Sequence, residues 1–414
     1  VSKNGRRIVV TGFGLVCPCG NTVEESWQNI LSGRSGIDKI SAFDVSDYDS
    51  QIAGEVKGFD PLDFMDKKDA RRADRSVQLA IAAATEAMST NGADKVEKDR
   101  FGTIIGSGIG GIKTFEEQHT VLIERGPSRI SPFFIPMMIS DMAAGQVSIK
   151  FGLKGPNFGT VSACASGGHA LSDAFMYIKN GLADIMLAGG TEATISPMAL
   201  GGFCSLKALS TRNDDPAHAS RPFDVERDGF VMSEGAGIII LEELEHARRR
   251  GAPILAEMIG VGLTGDAFHM TQPPPGHTGA VAAMRMALEY AGLETGDVDY
   301  INAHGTSTYH NDKNECEAIR TVFGPPADGL KVSSTKSVTG HLLGAAAALE
   351  FIVCVKALIE GIIPPTANLE NPDPDCELNH VVNEAEKREI DIVLSNSFGF
   401  GGHNVALILK KYQA

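Results

Sequence analysis

Aromatic residues are scarce in this 414-residue chain, at 6% with a single tryptophan. A core with so few large rings must close by tight packing of small elements, and the 46 glycines suit that. Long apolar runs are missing as well. Nothing is long enough to span a bilayer, and no apolar leader follows the opening Val1-Ser2-Lys3-Asn4-Gly5-Arg6-Arg7, so a soluble, cytoplasmic protein is expected. There is no excess of positive charge: 37 Lys and Arg against 52 Asp and Glu give a net charge of −15. That argues against nucleic acid as the main partner. Cysteines with metal or disulfide spacing are lacking too. The seven, at 17, 19, 164, 204, 316, 354 and 376, are odd in number and scattered. Cys17 and Cys19 stand too close for a zinc knuckle and have no matching pair, which points to a reducing compartment without disulfides or a metal site.

Apolar strands alternate with helical patterns along the chain, which predicts an α/β fold. Arg7 to Thr11 reads as a strand closed by a turn at Gly12-Phe13-Gly14. Cys17 stands where a dinucleotide fingerprint requires glycine, so this is no nucleotide loop. Thr22 caps a helix over 23–32, and an Ala-rich helix runs from Arg75 to Thr90. Asp184 to Ala188 is a strand leading to Gly189-Gly190, and 126–138 is a Pro- and Phe-bearing loop. The second half repeats the first. Ile254 to Thr264 answers Arg7 to Thr11, the helix 279–291 answers 75–90, Val298 to Ala303 answers Phe101 to Ser107, and the helix after Gly340 answers the helix after Cys164. Two similar βα halves packed on each other are expected, 1–251 and 252–414 with the boundary at Gly251, and a shared site where they meet.

Cys164 is the nucleophile candidate. It ends a strand and opens a helix in Val161-Ser162-Ala163-Cys164-Ala165-Ser166-Gly167-Gly168, where free backbone N–H groups and the helix dipole favour thiolate. An isolated cysteine would more often be an inert small hydrophobe. Three downstream stretches change that balance. Asn302-Ala303-His304-Gly305-Thr306-Ser307-Thr308 puts a histidine at a strand end. Lys336-Ser337-Val338-Thr339-Gly340-His341 puts another at a helix start. Ser397-Phe398-Gly399-Phe400-Gly401-Gly402 is a glycine-aromatic loop in which Phe400 has freedom to gate. One thiol with two imidazoles suits acyl transfer, because ring N–H groups can donate to an oxygen that becomes negative. Glu350 lies in an otherwise apolar run and needs a partner, for which Lys336 is the best candidate. The pair is either a structural ion pair or a means of tuning His341.

These residues together resemble the β-ketoacyl-[acyl carrier protein] synthases, decarboxylating condensing enzymes of the thiolase fold, and most of all the elongating synthase II type. The resemblance runs through Ser162-Ala163-Cys164-Ala165-Ser166-Gly167, Gly189-Gly190-Thr191-Glu192, Arg221-Pro222-Phe223-Asp224, the His304 and His341 stretches and the terminal glycine loop. It implies a layered α/β/α/β/α fold, a Cys-His-His triad of Cys164, His304 and His341, and an oxyanion hole from the backbone of Cys164 and Phe400. It implies that Lys336 and Glu350 support His341. It places Thr306 and Thr308 along the pantetheine arm and Ile109 at the acyl pocket, and counts Thr271 and Phe398 with them as substrate-binding residues. No cofactor is implied beyond a structural monovalent cation near Asn302, Glu315 and Asn396. Tyr309-His310 and Ala347 depart from the usual pattern without touching the triad.

The implied partner is an acidic acyl carrier protein, so an acidic enzyme needs a local basic patch. Lys67, Lys68, Arg71, Arg72 and Arg75 form the densest one, with Arg125, Arg129 and Lys207 as further candidates. A homodimer is implied, with the apolar segment 132–138 at its interface. The alternatives are a non-catalytic polyketide synthase subunit, which would lack Cys164; a thiolase, which would carry a cysteine where His403 stands; and a cysteine hydrolase, which would not require two histidines beside a buried Lys–Glu pair.

Overall fold

The structure, a computed structural model, describes residues 5–89, 91–325 and 329–413. Ten strands form one sheet. In chain order they are β1 (Ile8–Val16), β2 (Phe101–Gly106), β3 (Asn157–Thr160), β4 (Ile185–Glu192), β5 (Gly235–Glu243), β6 (Ala256–Gly265), β7 (Tyr300–Asn302), β8 (Lys331–Ser333), β9 (Ile392–Gly399) and β10 (His403–Lys410). Across the sheet the order is β8-β7-β9-β10-β6-β1-β5-β4-β2-β3. The strands before residue 244 occupy one side of the β1–β6 seam and the later ones occupy the other. Each side has the same pairing. β2 runs parallel to β3 and β4, β4 antiparallel to β5, and β5 antiparallel to β1. β7, β8, β9, β10 and β6 repeat that scheme.

Helices complete the layers: α1 (Arg75–Ser89), α2 (Ile112–Arg125), α3 (Ser166–Lys179), α4 (Thr278–Ala291), α5 (Tyr309–Phe323) and α6 (Ala346–Glu360). α1 covers the outer face of β1 and β5, and α4 covers that of β6 and β10. α3 and α6 pack on each other in the middle, α3 touching β2, β4 and β10, and α6 touching β9, β5 and β4. The result is helix, sheet half, helix pair, sheet half, helix, as expected. Ala170, Leu171, Ala174 and Phe175 of α3 and Leu349, Phe351 and Ile352 of α6 are buried in this central layer.

The glycines at strand positions have a different role from the expected one. β1 continues through Gly12-Phe13-Gly14, where the sequence predicts a turn, with a register shift between Val10 and Gly12, and β4 extends past Ala188 through Gly189-Gly190 to Glu192. At Gly14 a Cβ would stand 2.0 Å from the Ala83 carbonyl of α1, and at Gly262 of β6 it would stand 1.9 Å from the Ala283 carbonyl of α4. The glycines let each outer helix lie directly on its strand. The helix Val23–Leu31 is capped by the Thr22 side chain, which accepts from Glu25 N at 3.3 Å, as predicted. α1 ends at Ser89, and Thr90 lies outside the described residues. The predicted loop before Met138 contains a short helix, Phe134–Met138. Among the described residues no helix is long and apolar enough to cross a membrane.

The duplication extends to the site. Ala163, with φ 52°, opens the turn 163–165 ahead of α3, and Leu343, with φ 48°, opens the turn 343–345 ahead of α6. Cys164 and Gly344 are thus equivalent positions on two elbows. Each residue with positive φ is strained, and such strain persists only where its surroundings hold it.

Candidate active site

Ser166 holds the first elbow. Its Oγ accepts from Ser162 N at 2.9 Å and donates to Ala163 O at 2.7 Å. Cys164 is thereby presented, half-buried, to a cavity of about 540 Å³. Burial pushes its thiol up to about 12, with Lys336 opposing and Glu192 reinforcing the shift. This corrects the expectation of a ready thiolate. Desolvation outweighs the helix N-terminus, and the resting sulfur keeps its proton.

His304 follows β7 directly. Its backbone N–H donates to Glu315 Oε1 at 2.8 Å, and that of Gly305 donates to Oε2 at 2.7 Å, so one carboxylate fixes the turn. His341 is pinned by an isolated bridge to the 231–233 segment: its N–H donates to Val231 O at 2.8 Å, and Ser233 N–H donates to its carbonyl at 3.0 Å. The two rings meet edge to face, 5.4 Å between centroids, and Phe230 packs on His341 at the same separation. Burial, then the Lys336 charge, lowers both imidazoles well below the ordinary histidine value. Both are neutral at physiological pH.

Lys336 and Glu350 form a buried ion pair, as expected; its charge acts on His341, while its remaining hydrogen bonds go to His304. Lys336 Nζ donates to Glu350 Oε1, to the His304 carbonyl at 2.6 Å, and to His304 Nδ1 at 3.4 Å. No direct bond to His341 exists among the described residues. An ammonium only donates, so His304 Nδ1 accepts and the ring proton sits on Nε2.

The end of β9 closes the site. A Cβ on Gly399 would lie 2.5 Å from Ser162 O and 3.3 Å from Cys164 N, so glycine brings the 399–400 backbone against the elbow. Ile109, Thr271, Thr306, Thr308, Phe398 and Phe400 all line the cavity with Cys164, His304 and His341. The Thr306 and Thr308 hydroxyls are 2.9 Å apart. Lys336 and Glu350 stand behind its wall.

The basic candidates divide. Lys67, Lys68, Arg71, Arg125 and Arg129 are exposed. The Arg72 guanidinium lies 4.2 Å from the Phe133 ring centre. Lys207 lines the cavity and pairs with Asp49 at 2.7 Å. Arg75 leaves the group: it forks onto Glu234 at 2.6 and 2.7 Å, because α1 needs that charge inside the fold.

Of the predicted cation residues, Asn396 reaches Glu315, while the Asn302 side chain lies on the other face of the sheet. Asn302 Nδ2 donates to Tyr300 OH at 2.9 Å on the α6 side of the sheet. Asn396 Nδ2 reaches Glu315 Oε1 at 3.3 Å and Met284 Sδ at 3.5 Å on the opposite side. Strand alternation is the cause, since Asn302 pairs with Ser395, not with Asn396. Two buried oxygens on the α6 side, Asn302 Oδ1 and Glu350 Oε2, have no partner among the described residues. Such oxygens suit a hard monovalent cation.

Sequence reading missed Glu192. Its buried carboxylate accepts from Gly108 N at 2.7 Å, Ser107 Oγ at 2.9 Å and Gly344 N at 3.0 Å, tying the Ile109 loop to the second elbow. A carboxylate in an otherwise apolar strand was the available signal, the same one that marked Glu350. His277, Asp266 and Asn404 also line the cavity and carried no such mark.

A cysteine on a strained elbow, two neutral imidazoles facing it and a duplicated five-layer fold define a condensing enzyme that works on acyl thioesters. Residues 5–247 match the family "Beta-ketoacyl synthase, N-terminal domain" and residues 255–370 match "Beta-ketoacyl synthase, C-terminal domain". The chain is 52% identical over 410 residues to 3-oxoacyl-[acyl-carrier-protein] synthase 2 of Synechocystis sp., covering 99% of both chains. It is 52% identical over 416 residues to the protein of the same name from Staphylococcus aureus, covering 100% of both. A solved beta-ketoacyl synthase from Burkholderia phymatum superposes with a TM-score of 0.92 at 35% identity, over 99% of this chain and 100% of that one. A ketosynthase solved with its type II polyketide acyl carrier protein superposes at 0.90 with 36% identity, over 98% and 100%. The chain belongs to the beta-ketoacyl synthase family.

Proposed function

We propose that this protein condenses an acyl group held on Cys164 with a malonyl unit from acyl carrier protein, releasing CO2 and giving a β-ketoacyl carrier in fatty acid elongation. The observation that carries this is the cavity that Cys164 shares with two buried imidazoles, His304 and His341, whose rings meet edge to face. In the first half-reaction the Cys164 sulfur attacks the carrier thioester, while the backbone N–H groups of Cys164 and Phe400 receive the developing oxyanion. The sulfur–carbonyl bond forms, the pantetheine sulfur leaves, and the thiol proton ends on it. In the second, His304 Nε2–H and His341 donate to the malonyl thioester oxygen. Each such donor is worth about 3 kcal/mol in a dry site. The pair of electrons freed as CO2 departs passes into the enolate and then into the new carbon–carbon bond. Cys164 leaves as thiolate and takes a proton from solvent. Neutral rings are required, since an imidazolium would hold the malonyl carboxylate as a salt.

The acidic carrier would dock on Lys67, Lys68, Arg71, Arg72, Arg125, Arg129 and Lys207, the last at the cavity rim. Ile123, 72% exposed, and Ile135, 54% exposed, form an apolar face near Phe115 and Ile139 that supports a homodimer. All seven cysteines are free, which fits the cytoplasm. Asn302 and Glu350 would hold a monovalent cation, whose charge would fix β7 and α6 behind His304. A rise in melting temperature with K⁺ or Na⁺ over a bulky organic cation, abolished in Asn302→Leu, is the expected result; equal melting in all salts refutes it.

Mass spectrometry after incubation with an acyl carrier thioester tests the main reading. An acyl adduct on Cys164 is expected, with both adduct and CO2-coupled condensation lost in Cys164→Ala. Condensation by that variant would exclude the mechanism.

A further inference from the structure

A third imidazole faces this site. His277 precedes α4, its side chain is 2% exposed, and it lines the same cavity as Cys164. Its backbone is left-handed, φ 44° and ψ 56°, a conformation uncommon outside glycine. A residue kept there despite strain invites a functional reason. Its bonding is specific. Nε2 lies 3.1 Å from Asn404 Oδ1, while Asn404 Nδ2 donates to Asp266 Oδ1 at 2.7 Å. A carboxylate accepts, so the Asn404 amide has one orientation and His277 Nε2 carries the proton. Asp266 N–H donates to Gly402 O at 2.9 Å and Gly401 N–H to Met270 O at 2.8 Å. The segments 266–277 and 398–404 therefore form one wall, with His277 as its inner pin. The His277 ring meets the Phe398 ring at 4.5 Å and 65°, and Phe398 meets the His304 ring at 5.5 Å and 66°. Three rings stand in a row, ending on a proposed donor to the enolate. His277 Nδ1 is buried and has no partner among the described residues, so hydrogen bonding on that side does not explain the ring's placement.

We propose that His277 is a positioning residue, which holds Phe398 against His304 and so sets the aim of His304 Nε2–H in the decarboxylating half-reaction. Burial lowers the His277 ring below the ordinary histidine value, with the Asp266 carboxylate, 3.8 Å from Nε2, opposing the shift. Edge-to-face aromatic contact orients a ring without a hydrogen bond, and small errors of aim are costly in a preorganised site.

The inference rests on the proposed condensation and is tested in its two halves. His277→Gly suits the left-handed backbone and removes the ring; His277→Phe keeps a ring edge against Phe398 but no N–H. Acyl transfer to Cys164 is followed by mass spectrometry with hexanoyl-[acyl carrier protein]. CO2 release is followed with enzyme already acylated and malonyl-[acyl carrier protein] added. His277→Gly should slow the second step by about tenfold with the first changed less than about twofold, and His277→Phe should recover most of the loss. Phe398→Leu combined with His277→Gly should cost no more than the worse single change. Equal slowing of both steps, no slowing, or additive effects overturn the proposal. Should His277→Gly fail to fold, His277→Asn, which tolerates the same backbone, must show the same split. A wild-type protein that forms no Cys164 adduct refutes the condensation reading instead.

Discussion

Lys336 carries more of the site than its distance from the cavity suggests. It spends its three protons on Glu350, the His304 carbonyl and His304 Nδ1, so one ammonium neutralises a buried acid, fixes a turn and selects a tautomer. Removing it leaves Glu350 as a buried, unpaired acid. Lys336→Met is expected to lose about 3–5 kcal/mol in urea unfolding. The pair Lys336→Met with Glu350→Leu should regain most of that stability and yet remain defective in CO2 release, because His304 Nδ1 is still unanchored. Full activity in the double variant would make the ion pair purely structural. The presence of this pair was legible, because a carboxylate in the apolar run 342–355 has to be matched. That its hydrogen bonds go to His304 was not, since His304 and Lys336 come from different strand ends.

Each sheet half depends on a helix lying flat on a strand. The Gly14–Ala83 and Gly262–Ala283 contacts leave no room for a Cβ. Gly262→Ala is expected to destabilise by about 1–3 kcal/mol, read as a lower denaturant midpoint at unchanged slope. An unchanged midpoint would mean that α4 shifts freely, contrary to its tight packing on β6 and β10. The helices and strands themselves were readable from periodicity, capping and the repeat between halves. Gly12-Phe13-Gly14 was misread as a turn, because a local window sees a glycine that can bend and does not see the helix above it.

Over the whole molecule, acid groups brought inside by folding set a pH dependence. Glu315 is fully buried, and burial pushes it up to about 7 despite two backbone donors. Its folded value exceeds its unfolded one, so its contribution to stability is fully present below about pH 4.5 and is lost as pH rises through about 7. Glu315→Gln cannot ionise. Between pH 4.5 and 8 the stability of wild type relative to this variant should fall by an amount on the order of 3 kcal/mol. A gap independent of pH in urea titrations would show that the carboxylate is not burdened by burial.

The order of strands and helices, their duplication, and the cysteine, histidine, lysine and glutamate that meet in the site were all determined by the sequence. Those features depend on local periodicity and on residue types whose chemistry is fixed. Only the tertiary structure decided that the Cys164 thiol is protonated, that Lys336 hydrogen-bonds to His304, that Asn302 and Asn396 face opposite ways, and that His277 stands behind Phe398. These outcomes depend on dielectric environment and on interactions between segments far apart in the chain, 172 residues in the case of Cys164 and Lys336. Desolvation and facing direction are properties of the assembled layers, and no stretch of chain carries them by itself.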